Sequence, residues 1–153
     1  MTRKHSHNRR ARAGSLTALT LLATTLVIAG AALAARSVSV NDTGKLHLLK
    51  AFGSVLLEEG YASGTLPGNA KVRMIVGTSV SATFSISAAG GAIYGSGHAA
   101  LHSSGRYSSF GGALSVSRGT GRYAHAHGSG RLYGVIDRRT HAVTVQTRGR
   151  LNY

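Results

Sequence analysis

From Val38 to the C-terminus, apolar residues recur at every second position rather than every third or fourth. Val80, Ala82, Phe84 and Ile86 alternate with Ser81, Thr83, Ser85 and Ser87. Ile93, Gly95, Gly97, Ala99 and Leu101 alternate with Tyr94, Ser96, His98, Ala100 and His102. Val143, Val145 and Leu151 share one parity, and Thr144, Gln146, Arg148, Arg150 and Asn152 take the other. A period of two sends successive side chains to opposite faces of a strand, so each stretch has one face to bury and one to leave in water. Turn-forming clusters separate the stretches: Asn41-Asp42-Thr43-Gly44, Leu66-Pro67-Gly68-Asn69, Ala89-Gly90-Gly91, Ser103-Ser104-Gly105, Gly119-Thr120-Gly121 and Asp137-Arg138-Arg139-Thr140. These residues supply the backbone angles that reverse a chain.

The pattern predicts strands at about 37–40, 45–51, 54–64, 71–76, 80–87, 92–102, 106–117, 122–136 and 141–152, one of the first two being irregular. Residues 45–59 also carry a partial helical spacing, Leu46, Leu49, Phe52 and Leu56. Short turns between strands imply an antiparallel meander. With about eight strands, closure removes the sticky edges, so the expected fold class is all-β: an antiparallel up-and-down β-barrel preceded by an N-terminal signal helix. A sandwich is the alternative. Of the 21 glycines, Gly95, Gly97, Gly111, Gly112, Gly128, Gly130 and Gly134 fall inside strand patterns, where glycine marks bulges and sharp bends. Two stretches, Gly95 to Ala100 and Gly119 to Ala124, spell G-x-G-x-x-A. Neither opens a predicted helix, which excludes a dinucleotide fingerprint.

The first 34 residues read differently. Arg3, Lys4, Arg9, Arg10 and Arg12 precede an uncharged run over 16–34 that ends in Ala32-Leu33-Ala34. A basic start, an apolar run and a small-x-small end are the parts of a secretory signal peptide. Cleavage is expected after Ala34, leaving 35–153 as a single glycine-rich barrel domain that is secreted or otherwise extracytoplasmic. The alternative is an uncleaved anchor, since the 19 residues of 16–34 reach across a hydrocarbon core of about 30 Å.

Composition then removes whole classes of function. The chain has no cysteine, which excludes disulfides, thiolate metal sites and a thiol nucleophile. Asp42, Glu58, Glu59 and Asp137 are the only acids, too few for a carboxylate calcium or magnesium site. No cofactor is expected. The formal charge is +14, but five of the 18 basic residues lie in the leader, so the barrel segment keeps 13 and a net charge of +9. Arg106, Arg118, Arg122, Arg131, Arg138, Arg139, Arg148 and Arg150 crowd its last third, interleaved with Tyr107, Phe110, Tyr123, Tyr133 and Tyr153. In the cytosol that mixture would suit single-stranded nucleic acid. After export no nucleic-acid partner is expected, and an anionic envelope polymer takes its place, against the plainer reading of a solubilising surface.

Catalytic and metal signals are sparse. No G-x-S-x-G elbow occurs. His98 and His102 share a strand face, as do His125 and His127, but the first pair has polar parity and no carboxylate lies near in sequence to support a metal. No metal site is expected. Glu58 and Glu59 are adjacent on a strand and point to opposite faces, so one of them points inward unless a bulge intervenes. The alternative is a solvent-facing pair beside Gly60. The ligand-binding set expected inside the barrel is Glu58, Tyr61, Phe84, Tyr123, His125 and His127.

Residues 114–128 read Leu-Ser-Val-Ser-Arg-Gly-Thr-Gly-Arg-Tyr-Ala-His-Ala-His-Gly. A strand enters a Gly-Thr-Gly turn, an aromatic follows after one residue, and Ala and Gly close the motif: Gly119, Thr120, Gly121, Tyr123, Ala126 and Gly128. This resembles the signature hairpin of the allene oxide cyclase and dirigent barrel superfamily. The stretches 60–68 and 149–153 are similar to secreted bacterial proteins of the same barrel type. The resemblance covers about residues 54–153 and implies an eight-stranded barrel with an apolar cavity, with Tyr123 plugging one end. It maps no catalytic residue onto the four acids.

These readings converge on a secreted small barrel that binds an apolar or amphipathic small molecule and lacks a catalytic constellation. The alternatives are a basic envelope protein that holds anionic polymers, a cyclase or isomerase, and a small outer-membrane barrel with Tyr153 as its terminal aromatic. Contact with a membrane is expected only through the N-terminal segment.

Overall fold

The computed structural model describes residues 36–103 and 105–153. The expected signal helix and its cleavage site lie outside them. The chain forms eight strands: β1 (Ser37–Phe52), β2 (Val55–Gly64), β3 (Gly68–Val76), β4 (Ser79–Ala88), β5 (Gly91–Leu101), β6 (Tyr107–Gly119), β7 (His127–Asp137) and β8 (Val143–Asn152). Each pairs antiparallel with the next, and β1 returns to pair with β8, closing an up-and-down barrel. The all-β barrel expected from the alternation is the fold observed.

Three local expectations are corrected. The segments 37–40 and 45–51 are one strand of 16 residues, and Asn41-Asp42-Thr43-Gly44 is its interior rather than a turn. The reason is pairing on both sides: Asp42 stands opposite Gly64 on β2 and opposite Thr147 on β8. Two ladders of backbone hydrogen bonds outweigh the local turn preference of Asn, Asp and Gly. The partial helical spacing over 45–59 coincides with a bulge, where the register slips between Leu48 and Lys50 and leaves Leu49 unpaired. The extra residue bends a strand that must serve both β2 and β8. The strand expected at 122–136 begins only at His127. Gly121, at φ 59°, turns the chain into a short 3₁₀ turn, Gly121–Tyr123.

Alternation decides what faces inward. Val80, Ala82, Phe84 and Ile86 on β4, and Ile93, Gly97, Ala99 and Leu101 on β5, lie inside or pack against the core clusters. Lys45, Lys71, Arg73, Arg131, Arg148 and Arg150 are exposed on the outer face. That polarity is the reverse of a lipid-facing barrel, whose apolar band lies outside.

The core has two apolar clusters. One joins Leu46, Leu56, Met74, Val80, Phe110, Ile136 and Val143 toward the end bearing the β1–β2, β3–β4, β5–β6 and β7–β8 turns. The other joins Leu66, Ile93, Tyr123, Ala126 and Leu151 at the opposite end. Interior glycines make room for rings. Phe84 stands opposite Gly95, and Phe110 opposite Gly134. A Cβ on either glycine would collide with the facing phenyl ring. The ring covers the backbone that the glycine leaves bare.

Candidate functional site

Between the two clusters lies a cavity of about 150 Å³. It exists because many inward positions carry almost no side chain. Gly44, Gly97 and Gly149, with Ala62, Ala70, Ala82 and Ala99, contribute backbone or a methyl group to the wall. An eight-stranded barrel is just wide enough for its own side chains to fill. Small inward residues therefore subtract from the filling and leave a void. Val72, Phe84, Leu114, Leu132 and Val145 are among the larger apolar side chains of the lining. Asp42 and Thr147 are the inward polar side chains in the lining.

Asp42 is 5% exposed. Its Oδ1 accepts the Leu66 backbone N–H at 3.0 Å, and Thr65 Oγ1 accepts the Asn41 N–H at 3.1 Å. These two bonds fasten the β2–β3 loop to the interior of β1 beside the end of β2, and Leu66 enters the core. Burial raises the Asp42 carboxyl above its ordinary range, and the loop N–H groups pull it partly back.

Glu58 is the other buried acid, 1% exposed. On β2 it shares the inward parity of Leu56 and Ala62, between Leu48 on β1 and Val72 on β3. Both carboxylate oxygens are buried with no hydrogen-bond partner. Desolvation without compensation pushes its pKa up to about 7. Glu58 sits beside the cavity without forming its wall; Val72, its neighbour on β3, does line it. Glu59 points outward, with His47 Nε2 3.6 Å from its Oε1.

The six residues expected to bind a ligand are not gathered into one site. Phe84 lines the cavity. Glu58 is inside but adjacent. Tyr123 is 1% exposed and seals one end, its ring centroid 4.8 Å from Tyr153 in an edge-on contact. The Arg122 guanidinium covers it at 4.7 Å and donates to its hydroxyl. Tyr61 takes the outward parity of β2 and is 52% exposed. His125 is exposed in the link between the 3₁₀ turn and β7, and His127 opens β7 on the outward parity it shares with Ser129 and Arg131. His127 Nδ1 lies 3.0 Å from the His125 carbonyl oxygen, a local contact that leaves both rings away from the interior.

Sequence reasoning missed Asp42, because its neighbourhood reads as a turn. The parity Val40, Asp42, Gly44, Leu46 carried the signal, since the two apolar members fix which face is inward. Among the described residues no three His, Asp or Glu side chains converge as a metal-binding group. Comparison with protein-family models, curated proteins and solved structures found no match for this chain.

Proposed function

We propose that this protein binds a small apolar or amphipathic molecule inside its barrel. The observation that carries the reading is the apolar cavity of about 150 Å³ at the middle of the barrel. A void of that size lined by aliphatic and aromatic groups stays dry and takes a single small ring, roughly benzene-sized. The ligand class is therefore a small aromatic or a compact terpenoid rather than a long acyl chain. Asp42 and Thr147 offer the lining its polar contacts, which suits a ligand with one hydroxyl or carbonyl group. The likeness of the 114–128 hairpin to the allene oxide cyclase and dirigent barrels supports the same reading. Export of the chain is part of the proposal and rests on the leader over 1–34.

The enzymatic reading draws on Glu58, a buried acid whose pKa, pushed up to about 7 by desolvation, would let it exchange a proton near neutral pH. General acid–base work needs a positioned proton partner, and Glu58 has no hydrogen-bond partner. Binding is the stronger reading.

The test is a ligand panel read by thermal shift and titration calorimetry: toluene, indole, a monoterpene alcohol and a sixteen-carbon fatty acid. The compact ligands are expected to raise the melting temperature saturably. Ala82→Phe, which adds a ring to the cavity wall, is expected to abolish the shift while the barrel still unfolds cooperatively. No saturable shift with any compact ligand, or an unchanged shift in Ala82→Phe, would overturn the proposal.

A further inference from the structure

The outside of the barrel is not uniformly decorated. Arg131 on β7 stands directly opposite Arg148 on β8, both exposed. Facing residues on neighbouring antiparallel strands have Cα atoms about 4.5–5.5 Å apart, and like charges so placed repel. Arg150 lies two residues further along the same strand face. Among the described residues the acid–base pairs are His47–Glu59 and Arg106–Asp137, so neither Arg131 nor Arg148 has an acidic partner. A cross-strand arginine pair left uncompensated costs stability unless something anionic sits on it.

The surface beside the pair is shaped as well as charged. Tyr133, 53% exposed, borders an open depression with Arg131, Arg148 and Gln146. Its floor is Gly111 and Ala113. His102 and Tyr133 flank Gly111: a Cβ there would lie 3.2 Å from His102 Nε2 and 3.8 Å from Tyr133 Cδ2. The His102 and Tyr133 rings thus cover Gly111, and a ligand ring here would meet the exposed Tyr133 phenol, with two guanidiniums and an amide at its edge.

We propose that the outer face of β6–β8 docks a carboxylated polysaccharide, with Arg131 and Arg148 gripping its carboxylates and Tyr133 stacking on a sugar ring. Charge complementarity selects an anion, and the planar guanidinium fork matches a carboxylate in bidentate fashion. The aromatic content separates a glycan from single-stranded nucleic acid. A strand of bases needs successive stacking rings. Two other tyrosines of this region are covered by cations: Arg118 sits 4.5 Å from the Tyr94 centroid and Arg106 5.0 Å from that of Tyr107. Tyr133 faces Gly111 on β6 and Gln146 on β8, and among the described residues no cation lies over its ring; the Gln146 amide beside it suits a sugar hydroxyl. These side chains are exposed on the outer face, on the other side of the sheet from the cavity, which Arg148 also borders.

Affinity of the full-length chain for a labelled polygalacturonate oligomer, read by fluorescence anisotropy at low salt, tests this. Arg131→Gln with Arg148→Gln is expected to weaken binding by about tenfold. The control Lys71→Gln with Arg73→Gln removes the same charge from β3, three strands from β8 and four from β7 around the barrel, and is expected to change binding by less than about threefold. Tyr133→Ala is expected to weaken binding severalfold and Tyr133→Phe to leave it nearly intact. Equal losses in the two charge-matched double variants would reduce the effect to net charge and overturn the proposal. Tighter binding of an oligothymidylate of equal charge would overturn it in favour of nucleic acid. An unaltered affinity in Tyr133→Ala, or no saturable binding at all, would also end it.

Discussion

Glu58 is the residue whose environment departs furthest from its chemistry. Its carboxyl is buried among apolar neighbours with no donor to replace lost water, and its pKa rises from 4.5 to about 7. An acid whose folded pKa lies above its unfolded value lowers stability wherever the unfolded chain ionises first. The loss therefore begins near pH 4.5, grows as pH rises, and levels off above about pH 7. Its full size is on the order of 3 kcal/mol at about 1.4 kcal/mol per pH unit. Glu58→Gln cannot ionise, so the difference in unfolding free energy between it and the native chain should change by that amount between pH 4.5 and 7.5. Denaturant titrations at four pH values in this window measure it, and a pH-independent difference would contradict the assignment. Asp42 is shifted in the same direction but lies in both proteins, so the comparison removes it.

At the scale of elements, the turns hold the barrel ends together through glycine. The β6–β7 turn docks on the β4–β5 turn. Thr120 N–H donates to the Ala92 carbonyl at 2.8 Å, Ala92 N–H donates to Thr120 Oγ1 at 3.1 Å, and Arg122 N–H donates to the Gly90 carbonyl at 2.9 Å. Gly121 combines φ 59° with backbone so close that a Cβ would strike the Gly90 carbonyl oxygen. Gly121→Ala should therefore destabilise by about 1–3 kcal/mol, from a strained φ and from separating the two turns. Chemical denaturation would show a lower midpoint with an unchanged slope. Because Tyr123 follows two residues later and seals this end, the same variant should also loosen the plug and raise solvent exchange at the Tyr123 amide. The Gly-Thr-Gly spelling marks the turn in the sequence. That it bears on a second turn, Ala89-Gly90-Gly91, is visible only when the strands are closed.

Across the whole molecule, apolar and charged residues are sorted onto two surfaces. The inner face is apolar and incompletely filled; the outer face carries a net positive charge with few ion pairs. Self-repulsion of that kind is screened by salt, over a Debye length of about 10 Å at 0.1 M. Raising sodium chloride from about 0.02 to about 0.5 M should raise the melting temperature by a few degrees. Arg131→Gln with Arg148→Gln should show a smaller rise, since it removes a facing like-charged pair. A melting temperature that falls with salt would indicate that ion pairs, not repulsion, dominate the surface.

Much of the barrel was legible in the chain. Strict alternation at 80–87, 92–102 and 143–152 settled strand identity and inward parity, because a strand has no other way to place one apolar set on one side. The excess of basic over acidic residues and the absence of cysteine bounded the chemistry in the same direct manner. What the sequence could not display is anything that depends on a second ladder. Asn41–Gly44 reads as a turn until β8 returns to pair with it. Tyr61 follows the adjacent apolar pair Leu56 and Leu57, which leaves the inward parity of β2 open until pairing with β1 and β3 sets Tyr61 outside. The cavity itself is a sum over inward glycines and alanines from separate strands, and no local window contains that sum. Pairing between strands, closed by the ladder between the first and the last, is the physical step that decided all three.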